Sequence, residues 1–285
     1  MLGGSHLLGT GMHSGQLVFA QVMTYLPLKA FSRMVLARRA QHKVKDFSCL
    51  DQFLALSFAQ LTARESLRDI EINLRVQRQH FYHLGFRCKT ISRNTLANAN
   101  RVRPWEVFAD LAHHLIGMAR PLYANDTTSA ELKSLMGATV YSLDSTTIDL
   151  CLSLFSWAPF RTTKAAIKLH TLMDLRGSIP SFIHISDGKM HDVKVLDILA
   201  KQGYIEVGAY YVMDKAYVDF ARLHQLHTAR AFFVTRAKSN MQFFVIQEFT
   251  VPINTGLVSD QHIQLTGHTS HKRYPELIRQ VTYTD

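Results

Sequence analysis

The chain has 285 residues, 47% of them apolar and 19% charged, with a formal net charge of +10; this is length enough for two domains and the composition of a globular protein. No apolar run reaches the roughly 18 residues that span a bilayer, and residues 1–15, rich in Gly, His and Ser, lack the charged and apolar regions of a signal peptide. Cys49, Cys88 and Cys151 are odd in number, far apart and without zinc-ligand spacing, so free thiols in a reducing cytoplasm are expected.

Residues 1–15 read as a disordered leader, with Met12 as an alternative start, because patterned sequence begins only after it. From Gln16 to Arg39 the pattern is helical, and Pro27 breaks it into two pieces. Leu50, Phe53, Leu54, Phe58 and Leu61 recur at helical spacing. Thr62-Ala63-Arg64-Glu65 fits a capping box, with Thr62 capping a new helix through Leu67, Ile70 and Leu74. Ser92 caps a short polar helix, Arg93 to Asn100, and Pro104 fits the first turn of a last helix. That last helix has Trp105, Phe108, Leu111, Leu115 and Met118 on one face. Residues 29–103 hold fifteen Lys and Arg against five Asp and Glu, an excess equal to the formal charge of the whole chain. Such a concentration of charge is the footprint of a polyanion binder; a solvated basic surface is the plainer alternative. Residues 16–122 thus read as a helical DNA-binding domain. Its candidate contacts are Arg93, Asn94, Thr95, Asn98, Arg101 and Arg103, with Asn100 beside them. Asn is also simply a good capping residue.

After a linker at 123–137 the pattern changes to strands. Val140-Tyr141-Ser142-Leu143 is a short apolar strand ending on Asp144, with Ser-Thr-Thr as its terminator. Residues 165–175 and 179–185 form a hairpin around Arg176-Gly177-Ser178. Asp192 to Gln202 is a helix stopped by Gly203. Ala209 to Met213 repeats the first logic, an apolar strand that ends on Asp214. A helix at 218–228 and a strand at 231–235 follow, then Arg236-Ala237-Lys238, where Arg236 and Lys238 face either DNA phosphates or solvent. The order β-β-β-α-β-α-β, an antiparallel hairpin leading into parallel units, is that of a ribonuclease-H-like fold. Phe243 to Asp285 is β-rich and offers no long helix.

Two strands that each deliver a carboxylate suggest a divalent-metal site, since Mg²⁺ takes oxygen ligands and two-metal nucleases hold their ions with such groups. Turn and cap chemistry is the alternative at Asp144 and Asp214. It suffices for Asp174 and Asp187, both at turns, and for Asp192 at a helix start. The fifteen His residues form no ligand-spaced cluster and are expected mostly on the surface or in loops.

Together these segments resemble the DDE transposases of bacterial insertion sequences, specifically the insertion-sequence family 4 type with a helical N-terminal domain. The likeness covers about residues 15–285. It rests on Gln60-Leu61-Thr62-Ala63-Arg64-Glu65-Ser66-Leu67-Arg68-Asp69 and Ser92-Arg93-Asn94-Thr95-Leu96-Ala97 in the first half. In the second half it rests on Leu143-Asp144-Ser145-Thr146, Lys168-Leu169-His170, Asp174-Leu175-Arg176-Gly177, Tyr211-Val212-Met213-Asp214-Lys215-Ala216-Tyr217 and Phe233-Val234-Thr235-Arg236-Ala237-Lys238. The resemblance implies an α+β chain with a ribonuclease-H-like core over 138–240 and the start of a β-rich insertion over 241–285. It implies cut-and-paste transposition with Mg²⁺ or Mn²⁺, and places the catalytic, metal-holding aspartates at Asp144 and Asp214. The implied partner is double-stranded DNA, both the element's terminal inverted repeats and target DNA. A homodimer when intact and a cytoplasmic, chromosome-associated bacterial location are implied too.

The family's third carboxylate is a Glu in a Tyr…Arg…Glu…Lys signature on a late helix, and no such signature is found here. The resemblance therefore implies a C-terminally truncated chain that is inactive alone, with a truncated DNA-binding or dominant-negative regulator of transposition as the alternative. A ribonuclease-H-like nuclease with another role is a third reading, opposed by the basic helical half.

Overall fold

The computed structural model describes residues 17–41, 44–124, 138–150, 159–161, 164–252 and 255–284. The expected leader, Met12, Cys151 and nearly all of the expected linker lie outside those residues. The chain divides into two compact units between Leu115 and Ile116.

The first unit is helical: α1 (Val18–Met23), α2 (Leu28–Ala37), α3 (Cys49–Leu61), α4 (Leu67–Val76), α5 (Arg93–Val102) and the first half of α6 (Glu106–Ala124). Pro27 separates α1 from α2 as expected. The capping box lies elsewhere than the sequence pattern places it. Ser48 opens α3, accepting the Asp51 N–H while Asp51 accepts the Ser48 N–H. Thr62 instead closes α3, and its hydroxyl donates back to the Phe58 carbonyl. Ala63 then turns left-handed, with φ of 53°, and the Arg64 N–H reaches the Ala59 carbonyl. That is a Schellman ending, in which the left-handed residue exposes the last carbonyls to a donor beyond the helix. The next helix starts at Ser66, which accepts the Asp69 N–H.

Two apolar clusters hold this unit. Leu54, Ala55, Leu74, Phe81, Phe86 and Leu96 form one; Phe31, Val35, Cys49, Val107 and Leu111 form the other. Val107 takes the buried position at the start of α6 that the sequence pattern assigns to Trp105, which is 57% exposed. The helix begins at Glu106, so Trp105 precedes the periodic stretch. Asp51 is fully buried, and its second oxygen accepts the N–H groups of Arg87 and Cys88. It thereby ties a distant loop to the start of α3.

The second unit is built on a mixed sheet of β1 (Val140–Leu150), β2 (Pro159–Arg161), β3 (Lys164–Asp174), β4 (Ile179–Asp187), β5 (Tyr210–Met213) and β6 (Phe232–Thr235). Its order is β2-β3-β1-β5-β6, with β4 also paired to β3. β3 runs antiparallel to β1 and β4, whereas β5 is parallel to β1 and to β6. Helices α7 (Val195–Lys201) and α8 (Phe220–Thr228) complete the parallel units. Val195, Leu196, Leu199, Leu223 and Leu226 join Tyr141, Leu143, Leu172, Tyr211 and Met213 in one core. This mixed sheet with its helices is consistent with a ribonuclease-H-like core. β1 does not stop at Ser-Thr-Thr; it runs to Leu150, because β3 is long enough to pair with Tyr141 through Leu150. Only Val140 to Leu143 also pair with β5.

A second sheet, β7 (Phe243–Glu248), β8 (Leu257–Leu265) and β9 (Ile278–Tyr283), is antiparallel, with the short helix α9 (His268–Arg273) before its last strand. Leu265 and Tyr274 anchor it in the core of this unit, and the Tyr274 hydroxyl lies 2.7 Å from His227 Nδ1.

Candidate functional site

Parallel pairing of β1 with β5 sets Leu143 beside Met213. The next residues, Asp144 and Asp214, therefore leave the paired segment side by side, on strands about 4.8 Å apart. Side chains alternate along a strand, so Asp144 departs from the face that buries Tyr141 and Leu143. Both aspartates are exposed. Each has one oxygen engaged locally: Asp144 Oδ1 accepts the Ser145 N–H at 2.7 Å, and Asp214 Oδ1 accepts the Ala216 N–H at 2.6 Å. The Asp214 bond caps a 3₁₀ turn, Lys215–Tyr217. From β6 the Thr235 hydroxyl donates to the Asp214 carbonyl, fixing the backbone there. At Asp214 capping and exposure coexist, because a carboxylate has two oxygens and the cap uses one; Asp144 lies within β1 and caps no turn. Hard oxygen donors on adjacent rigid strands fit a small divalent cation. Among the described residues no group of three or more His, Cys, Asp and Glu stands close enough to hold a metal by itself.

Of the other carboxylates, Asp174 is 5% exposed and bound by Arg176 at 2.5 and 2.9 Å, with Arg120 at 3.8 Å. Burial works to raise its pKa, but the Arg176 contacts and Arg120 together hold it below the ordinary carboxylate value. Asp187 accepts the Met190 N–H in a turn, as its position suggested. Asp192 does not behave as a cap. The turn it opens, Asp192–Lys194, is 3₁₀, with His191 at the cap position and no side-chain cap bond. Asp192 Oδ1 instead accepts from Ser145 Oγ at 2.9 Å and from Lys168 Nζ at 3.0 Å. His170, expected with the surface histidines, is fully buried opposite Ser145 on β3. Burial lowers its pKa, with Asp192 opposing and His184 and Lys168 adding. Tyr217 is buried as well, and burial raises its pKa, with the Ser145 side chain opposing and Asp192, Asp144 and Asp214 adding; its hydroxyl has no hydrogen-bond partner of normal geometry among the described residues. Sequence reading missed Ser145, Lys168, Asp192 and Tyr217 as neighbours. The alternation in Lys168-Leu169-His170 puts Lys168 and His170 on one face of β3, but nothing in the sequence pairs them with residue 192.

The basic residues divide. In α5, Leu96 and Ala99 are buried, while Arg93, Asn94, Asn98, Asn100 and Arg101 are exposed and Thr95 is half-buried. Ser92 caps the helix as expected, accepting the Thr95 N–H. Asn98 accepts from Arg101, and Asn100 accepts from Gln52. Arg103 is committed inside the unit. It donates to the carbonyls of Phe47 and Ser48 and to Gln52, and its guanidinium lies over the Phe47 ring. Burial lowers its pKa. Arg103→Met is expected to destabilise the helical unit by about 2–4 kcal/mol, since it takes the Arg103 donors from the Phe47 carbonyl and the Gln52 side chain, while the Ser48 carbonyl keeps the Gln52 N–H; urea unfolding checks this. After β6, Arg236 is exposed, and Lys238 donates to the Val218 carbonyl. No helix among the described residues is long and apolar enough to cross a membrane.

Residues 136–282, just over half of the chain, match the family described as Transposase DDE domain. Residues 14–87 match a domain of unknown function, DUF4372. A protein named "Putative transposase y4zB" from Sinorhizobium fredii is 29% identical over 191 residues, 66% of this chain and 49% of that protein. "Probable transposase for insertion sequence element IS5377" from Geobacillus stearothermophilus is 29% identical over 100 residues, 35% of this chain and 25% of that protein. The chain thus spans about half or less of the length of these relatives.

Proposed function

Since the chain belongs to the transposase DDE-domain family, we propose that it acts in DNA transposition, binding duplex DNA with its helical unit and offering Asp144 and Asp214 to metal-dependent strand cleavage and transfer. The observation that carries this reading is the pair of exposed aspartates on neighbouring parallel strands. Relatives named as transposases support it. Asp144 and Asp214 would hold Mg²⁺ or Mn²⁺ through the oxygens that their local hydrogen bonds leave free. A bound divalent cation supplies activation of the attacking oxygen and neutralisation of charge on the leaving oxygen. In cleavage, water adds to a backbone phosphorus and the 3′-oxygen departs with a proton. In transfer, that freed 3′-hydroxyl loses its proton and bonds to a phosphorus of the target DNA, while the target's own 3′-oxygen departs from that phosphorus and takes up a proton. The substrate class is the ends of a mobile element and its target DNA. Exposed Arg93, Asn94, Asn98 and Arg101, with Thr95, meet the duplex, and Arg236 and Lys238 meet phosphates near the aspartates. Arg103 drops out of that set because its donors are already used.

Among the described residues no third carboxylate stands with Asp144 and Asp214 in a metal-holding group. That observation favours a second reading, in which the polypeptide binds DNA and hinders transposition without cutting. A strand-cleavage assay with Mn²⁺ on residues 1–285 separates the two. Mn²⁺-dependent cleavage is the result expected from the first reading, and binding without cleavage the result expected from the second. Cleavage that disappears in Asp144→Ala would refute the binding-only reading and make the next residues to replace Asp192, Glu248 at the end of β7 and Glu276 just before β9, as candidates for a third carboxylate.

A further inference from the structure

Beside the two aspartates lies a polar cluster that their proposed role does not use. It brings together Ser145 of β1, Lys168 and His170 of β3, and Asp192 from the turn before α7. Asp192 Oδ1 gathers the Ser145 hydroxyl and the Lys168 ammonium, and Lys168 is held in place by the Met190 carbonyl at 3.0 Å. The fully buried His170 meets Ser186 through Nε2 at 3.0 Å, and its Nδ1 lies without a partner 4.0 Å from the same Asp192 oxygen. An aspartate at a helix start ordinarily accepts an N–H of its own turn. Asp192 turns away from its helix into the sheet, where withdrawing a carboxylate and a lysine from water costs free energy unless geometry repays it.

Ser145 connects the cluster to Asp144. Ser145 gives its hydroxyl to Asp192 and its N–H to Asp144 Oδ1 at 2.7 Å. We propose that Asp192 is a positioning residue: braced by Lys168, it fixes Ser145, whose N–H then aims the Asp144 carboxylate so that its second oxygen faces a divalent cation. This inference rests on the reading of Asp144 as a metal-holding group. Partners behind the ligands of a metal typically alter affinity about 10- to 100-fold when they are removed.

The test measures Mn²⁺ affinity of residues 1–285 by titration calorimetry, together with the metal-free melting temperature of each variant. Ser145→Ala is expected to weaken Mn²⁺ binding about tenfold with the metal-free melting temperature unchanged. Ser145→Thr keeps the hydroxyl and restores the affinity, and Asp192→Asn matches Ser145→Ala. Should Asp192→Asn fail to fold, the Ser145 pair carries the test by itself. Wild-type affinity in Ser145→Ala, in a chain where Asp144→Asn abolishes binding, overturns the positioning role and leaves the metal reading intact. So does a loss in Ser145→Ala that Ser145→Thr does not restore. No Mn²⁺ binding by the wild-type chain, or undiminished binding by Asp144→Asn, overturns the metal reading and this inference with it.

Discussion

Mn²⁺ at a hundredfold excess over its dissociation constant is expected to raise the thermal midpoint of the sheet-containing unit by about 5–10 °C, and Asp144→Asn or Asp214→Asn to remove the rise. A ligand at that excess contributes about 2.7 kcal/mol if it binds only the folded state. For a unit of this size each kcal/mol shifts the midpoint by about 2–4 °C. The amide replaces a charged oxygen donor with a neutral one of the same shape, so packing is kept while the attraction is lost. Both aspartates are exposed and outside the buried core, so neither substitution should disturb the metal-free fold beyond a weakened local hydrogen bond. Differential scanning calorimetry with and without Mn²⁺ reads the effect. An equal rise in both variants would show that other groups hold the ion.

DNA affinity of the full chain is expected to fall about 10³-fold between 50 and 200 mM salt if roughly six phosphates are contacted. The reason is release of condensed counterions, so log affinity should be linear in log salt. The local surplus of ten positive charges in residues 29–103 motivates the prediction. Several of those charges are neutralised within the unit: Arg38 pairs with Asp110, Arg75 with Glu71, and Arg103 is turned inward. The working set is therefore smaller than the count of basic residues suggests. Arg93→Ala and Arg101→Ala should each lower the salt slope by about one. Folded Arg103→Met should keep the wild-type slope, which separates a phosphate contact from a structural arginine. Fluorescence anisotropy on a short duplex measures all three, and a salt-independent affinity would end the DNA-binding reading of this unit.

Local chemistry settled much of this protein from sequence alone. Pro27 breaks a helix by geometry that no neighbour can repair, and Ser92 caps α5 with its own hydroxyl. The apolar runs before Asp144 and Asp214 marked two strands because aromatic and β-branched residues suit a pleated, partly buried surface. Where two local signals competed, the sequence misled. Thr62 and Ser66 both suit a helix start, and the left-handed turn at Ala63 decided for Ser66. The end of β1 was hidden because its length depends on a partner, β3, that begins fourteen residues after Leu150. That Asp144 and Asp214 stand next to each other follows from parallel pairing across a 70-residue separation, which no local pattern encodes. The inward turn of Arg103 and the sheet-facing turn of Asp192 are likewise tertiary decisions. Each charge is redirected by acceptors or donors from segments far away in the chain, Phe47 to Gln52 for the first and Ser145 with Lys168 for the second. Periodicity and capping act over a few residues, so the sequence could specify elements and their charge; which carboxylate meets which hydroxyl was decided only when the strands paired.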